Sequence, residues 1–109
     1  MARDHFYVTL VAGTYTVAMT GSTADTMIMS CMVVNIDGSN AADASIDWTD
    51  ASDSNTAKQL LEQAEVAGGD SAAVLPGPFL LKNGDTLRGK ASANGDLVLA
   101  GWYETFDAT

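Results

Sequence analysis

One cysteine stands among 109 residues. That excludes an internal disulfide framework and a cysteine-ligated zinc cluster. The single histidine, His5, has no fixed partner in view for general-base work and reads as a solvated side chain. Five Lys and Arg against fourteen Asp and Glu give a formal net charge of −9. Binding phosphates takes clustered cations, so nucleic acid is not expected as a partner. No apolar run approaches the roughly 20 residues of a membrane-spanning helix, so no membrane partner is expected. The opening Met1-Ala2-Arg3-Asp4-His5 does not resemble a secretory leader, because no basic cluster precedes a sustained apolar stretch. The expectation is a soluble chain made in a cytosol. Its length fits one domain over residues 1–109, with 1–5 as a mobile terminus, large enough to hold a core without metals or disulfides.

What is present repeats with a period of two. Tyr15, Val17 and Met19 share one face, with Thr14 and Thr16 on the other. Ile46 and Trp48 read as inward, with Ser45, Asp47 and Thr49 facing water. Such alternation predicts half-buried antiparallel strands. Met27 to Val34 is apolar on both faces: Met27, Met29, Cys31 and Val33 on one, Ile28, Met32 and Val34 on the other. One sandwich has a single interior, so the second face of such a strand needs a cover: a second sheet, a loop or a neighbouring subunit.

Turn chemistry divides the strands. Asn83-Gly84 and Asn94-Gly95 predict two-residue type I′ hairpins, because Asn tolerates positive φ and Gly adopts it freely. Asp37-Gly38 predicts another turn, and Pro76-Gly77-Pro78 a stiff corner. On this basis Gly84→Val is expected to cost more than Gly21→Val. Thr56 to Val66 is contested. Strong helix formers and capping-box spacing between Thr56 and Gln59 favour a helix, whereas the surrounding sandwich pattern favours a strand. The fold class expected is all-β, an antiparallel β-sandwich of about eight strands.

No enzyme constellation emerges. Gly84-Asp85-Thr86-Leu87-Arg88-Gly89-Lys90 matches most of a P-loop, but Ala91 replaces the metal-binding hydroxyl and Asn94-Gly95 interrupts any following helix. Cys31 lies mid-strand among apolar neighbours, where a thiol is inert. Asp47, Asp50 and Asp53 recur every third residue and raise a calcium site as an alternative to a solvated acidic rim, although the EF-hand pattern is missing. Trp48 and Trp102 read as core anchors rather than a carbohydrate platform. No catalytic residue, cofactor, metal or small-molecule substrate is assigned.

Several ordered phrases resemble a widespread group of small tailed-bacteriophage virion proteins. These are Thr14-Tyr15-Thr16 with Thr20-Gly21-Ser22, the apolar strand Ile28 to Asn35, and Ile46-Asp47-Trp48-Thr49-Asp50. The most specific phrase runs from Leu75 to Ser92, an apolar strand, a Gly-Asp turn and a Leu87-Arg88-Gly89-Lys90 strand; Leu97 to Glu104 completes it. The resemblance implies a one-domain β-sandwich, a strand over Leu60 to Val66, and a non-enzymatic accessory subunit of the capsid, neck or tail. Its partners are then other virion proteins and copies of itself, and its location is the virion, after synthesis in the host cytoplasm. The interface candidates are Met27, Met29 and Met32 on the doubly apolar strand, with Arg88 and Lys90 as an outward basic pair. The rival reading is a sugar- or calcium-binding β-sandwich module of a fibre or surface protein.

Overall fold

A computed structural model describes residues 2–23, 25–75 and 77–106; Met1 of the expected terminus and Pro76 of the expected corner lie outside the described residues. Among the described residues nine strands follow one another: β1 (Ala2–Thr9), β2 (Thr16–Thr20), β3 (Asp25–Asn35), β4 (Ala42–Asp50), β5 (Thr56–Val66), β6 (Ser71–Ala73), β7 (Phe79–Leu81), β8 (Thr86–Ala91) and β9 (Leu97–Phe106). The larger sheet has the order β1-β9-β3-β6, with β7 also paired to β3, and the smaller has β2-β8-β4-β5. The all-β sandwich expected from the alternation is what forms. Because β6 and β7 occupy successive stretches of the same edge of β3, the strand count is nine rather than eight.

The chain changes sheet at every connection except β4–β5 and β6–β7. Two sheets filled alternately in this way make the double-sheet jelly roll. The crossings correct the hairpin expectation. Asn83-Gly84 joins β7 in one sheet to β8 in the other, and Asn94-Gly95 joins β8 to β9. At both, glycine alone takes positive φ, +87° at Gly84 and +79° at Gly95, whereas a type I′ turn needs it at both central residues. Asn94 uses its side chain instead, as Oδ1 accepts from the Ala12 amide at 2.8 Å. The β4–β5 hairpin turns through a short 3-10 segment, Ala51–Asp53, followed by left-handed Ser54 and Asn55.

Between the sheets lie Phe6, Leu10, Ile28, Cys31, Val33, Ile46, Leu81, Leu87, Leu97 and Leu99. Strand β3 does not keep one parity. Ile28 pairs with Tyr103 and Ser30 with Trp102, so Met29 is an extra residue, a β-bulge. Before it Thr26 and Ile28 point inward; after it Cys31, Val33 and Asn35 do. Met29 and Cys31 therefore do not share an inner face with Met27. The bulge drives the Ser30 carbonyl towards β9, where a Cβ on residue 101 would stand 1.8 Å from that oxygen; only Gly101 fits.

One further expectation changes, and the strand implied over Leu60 to Val66 forms. Residues 2–5 are strand, paired with Trp102 to Thr105 of β9, rather than a mobile terminus. Thr56–Val66 is a strand despite its helix-forming composition, because β4 offers it a ladder and the sandwich offers its apolar residues a partly buried site. It forms one edge of the smaller sheet. Lys58, Glu62 and Glu65, with a break at positive-φ Gln63, suit an edge that must not pair further.

Candidate functional site: two unlike outer faces

The smaller sheet turns a polar, internally paired face outward. Ser45, Asp47 and Thr49 do not meet water as the alternation predicts; all three are buried. The Asp47 carboxylate receives two hydrogen bonds from Arg88, Nε to Oδ1 at 2.8 Å and Nη2 to Oδ2 at 2.5 Å. That bond to Asp47, the larger effect, holds the Arg88 guanidinium above its ordinary pKa against the cost of burial. The Tyr15 ring lies over the pair, with Arg88 4.6 Å and Lys90 4.8 Å from its centroid. Gln59 reaches across from β5 to the Tyr15 hydroxyl at 3.1 Å. Thr49 and Thr86 share a hydrogen bond between their hydroxyls, and the Ser45 hydroxyl accepts from the Gln63 amide at 3.0 Å. Arg88 is thus committed to its own chain.

The three aspartates of the calcium alternative go separate ways. Asp47 holds Arg88. Asp50 caps the 3-10 turn by accepting from the Ser52 amide and hydroxyl, and the hydroxyl bond chiefly holds its carboxyl below the usual range. Asp53 pairs with Lys58 at 3.2 Å. Among the described residues no cluster of three or more acidic, His or Cys side chains is arranged to hold a metal ion.

The larger sheet turns a different face outward. Register places its outward residues in four rows across β1, β9, β3 and the β6/β7 edge, with Asp25 and Phe106 paired beyond the first row at the end of β3 and β9. The first row is Arg3, Glu104, Met27 and Leu80; the second is His5, Trp102 and Ser30. The third is Tyr7, Ala100, Met32 and Ala73; the fourth is Thr9, Val98, Val34 and Ser71. Tyr7 is 72% exposed, Met32 40%, Trp102 39% and Leu80 36%. Glu104 supplies the acid of the four rows, and Arg3 neutralises it at 3.1 Å. On a chain of net charge −9 these four rows carry no net charge, and Asp25 stands at their end.

Of the interface candidates, Met27 and Met32 lie on this face, Met29 is the half-buried bulge residue, and Arg88 and Lys90 belong to the opposite sheet. Trp102 is not the core anchor expected. Leu97, Leu99, Gly101 and Tyr103 face inward along β9, which leaves Trp102 outside. The alternation of β9 carried this signal, as Phe6, Val8 and Leu10 did for Tyr7 on β1. Trp48 is inward, edge-on to Phe79 of the other sheet at 5.1 Å. Beside it opens a cavity of about 310 Å³, walled by Trp48, Phe79 and Leu80 with Asp50, Lys82 and Asp85. Its polar groups are largely spent: Asp85 accepts from the Ala51 amide at 2.8 Å and the Lys82 amide at 3.0 Å. The Trp48 Nε1 is enclosed by protein without a partner.

No protein-family model matches the chain, and no curated protein matches it in sequence. Solved structures match its fold. One is a pentameric capsid protein isolated from metagenomic phage sequences, with a TM-score of 0.50 at 21% identity, covering 94% of this chain and 60% of that one. A second structure of a pentameric capsid protein from metagenomic phage sequences gives 0.48 at 21% identity, covering 94% and 62%. The Eiger TNF of S. frugiperda gives 0.49 at 15% identity, covering 98% and 94%. This chain spans about 60% of the length of the phage proteins. The class defined is a jelly-roll β-sandwich.

Proposed function

We propose that the chain is a non-enzymatic structural component of a tailed-phage virion, a small accessory subunit that assembles on the particle through protein–protein contacts. The observation that carries this reading is the outward face of the larger sheet, where Tyr7, Trp102, Met32 and Leu80 are exposed and the four rows carry no net charge on an otherwise acidic molecule. The acidic remainder keeps the free subunit soluble, and the face supplies area to bury when it assembles. The fold shared with a phage capsid protein supports the same reading, as do the sequence phrases from Leu75 to Ser92 and from Leu97 to Glu104. Met27 and Met32 are the candidate contacts that lie on the face, and methionine adapts to imperfect surfaces. The role is cement or decoration on the capsid, or an accessory of the neck or tail. Particles purified by density gradient and analysed by mass spectrometry test the proposal. The chain should co-purify at a fixed, high copy number relative to the major capsid protein; its absence from intact particles overturns the reading.

A further inference from the structure

We infer that the outward face of the larger sheet is covered by the same face of a second copy of this chain. The inference rests on the assembly reading above and names the partner. Charge selects the occupant first. The fourteen acids and five basic residues leave the molecule at −9, yet the four rows carry one ion pair, Arg3 with Glu104, and His5 as their ionisable groups. Two copies approaching by any acid-bearing surface repel, and burying an unpaired carboxylate is costly. Face to face, the four rows of each copy present no acid but the neutralised Glu104, and Asp25, paired with Phe106, stands beyond the first row at the end of the face.

Shape selects the same occupant. Bulky and small residues alternate between the two central rows: Trp102 lies next along β9 to Ala100, and Ser30 lies next along β3 to Met32. A two-fold axis running across the strands between these rows sets the second row of each copy against the third row of the other. Trp102 then meets Ala100 of the partner, Met32 meets Ser30, and Tyr7 meets His5. Each large side chain faces a small or polar one, the interdigitation that stacked sheets need at about 10 Å separation. Size suffices as well. Four strands about 4.8 Å apart and four rows about 6.8 Å apart make a flat footprint of roughly 500 Å² per copy. Two such faces reach the roughly 1,000 Å² expected of a specific contact.

The test is sedimentation of the purified chain at tens of micromolar, alone and as Trp102→Glu, Ala100→Glu and Val17→Lys. Val17 is an exposed position on the smaller sheet and serves as the control. The unsubstituted chain and Val17→Lys should run at twice the 11.3 kDa protomer mass, more completely at 0.5 M salt than at low salt, since screening relieves the repulsion between acidic bodies. Trp102→Glu and Ala100→Glu should weaken the pair by about 100-fold, with circular dichroism and melting showing at least one of them folded. A monomeric unsubstituted chain, an odd-numbered ring, or a pair that both folded face variants leave intact overturns the inference. A monomer that is nevertheless recovered on particles overturns this pairing alone and leaves the virion role standing.

Discussion

Individual residues of this fold are constrained chiefly by how closely backbones approach. A Cβ on Gly21 would lie 2.0 Å from the Lys82 carbonyl oxygen, where the Gly21 amide and carbonyl also bond Asp85 and Gly84 across the corner. A Cβ on Gly84 meets only the Ala51 methyl at 3.1 Å, although its φ of +87° strains a branched side chain by about 1–3 kcal/mol. The order expected from turn chemistry alone is therefore reversed: Gly21→Val should lower the melting temperature more than Gly84→Val. Gly101→Ala should be severe as well, by about 3 kcal/mol or more, because the Ser30 backbone itself must move. Chemical denaturation of the three variants gives the ranking. Cys31 offers a second check. Burial pushes its thiol up from the ordinary 9.0 to about 12. Below about pH 9 the thiol is neutral in folded and unfolded chains alike, and its burial costs nothing. Above that, only the unfolded chain ionises, so this group's contribution to stability falls with rising pH until the folded thiol ionises near 12. A thiol reagent at pH 8 should leave native Cys31 unmodified and label it fully in denaturant.

At the scale of strands and turns, the sequence shows where the chain turns but not what the turns connect. Asn83-Gly84, Asn94-Gly95 and Asp37-Gly38 all fall between strands, since Gly punctuation is local chemistry. Whether a turn folds a ribbon back on itself or carries it to the opposite sheet depends on packing thirty or more residues away. The inward set of β3 was half legible for a similar reason: one inserted residue, Met29, moves Cys31 and Val33 to the face that strict alternation denies them. Strand β5 shows propensity overridden by an available ladder. Far-UV circular dichroism should accordingly show less than about a fifth helix; more than that contradicts β5. Asp85 is the element-level tie, since its carboxylate holds both the 3-10 turn and the β7–β8 corner while 2% exposed. Asp85→Ala leaves two amides unsatisfied and should cost about 2–4 kcal/mol, with Asp85→Asn intermediate. Denaturant melts that show no loss for Asp85→Ala contradict this role.

For the whole molecule, the two outer faces divide the labour. The smaller sheet spends its charges on itself, Asp47 with Arg88 beneath Tyr15, so the basic residue that the sequence offers as a contact is consumed internally. The larger sheet leaves Tyr7, Trp102 and Met32 uncovered. Met27 and Met32 of that face were legible as candidates in the sequence, whereas Tyr7 and Trp102 were missed although the alternation of β1 and β9 carried their signal, and Met29 left the set because of the bulge. The most direct test is hydroxyl-radical footprinting of the chain in purified particles, compared with the isolated Ala100→Glu chain. Tyr7, 72% exposed, and half-buried Tyr15 report on the two faces within one molecule. In the isolated variant Tyr7 should oxidise faster than Tyr15. In particles the order should invert, with Met32 and Trp102 protected alongside Tyr7. Tyr7, Met32 and Trp102 as reactive in particles as in the isolated chain would contradict assembly through this face.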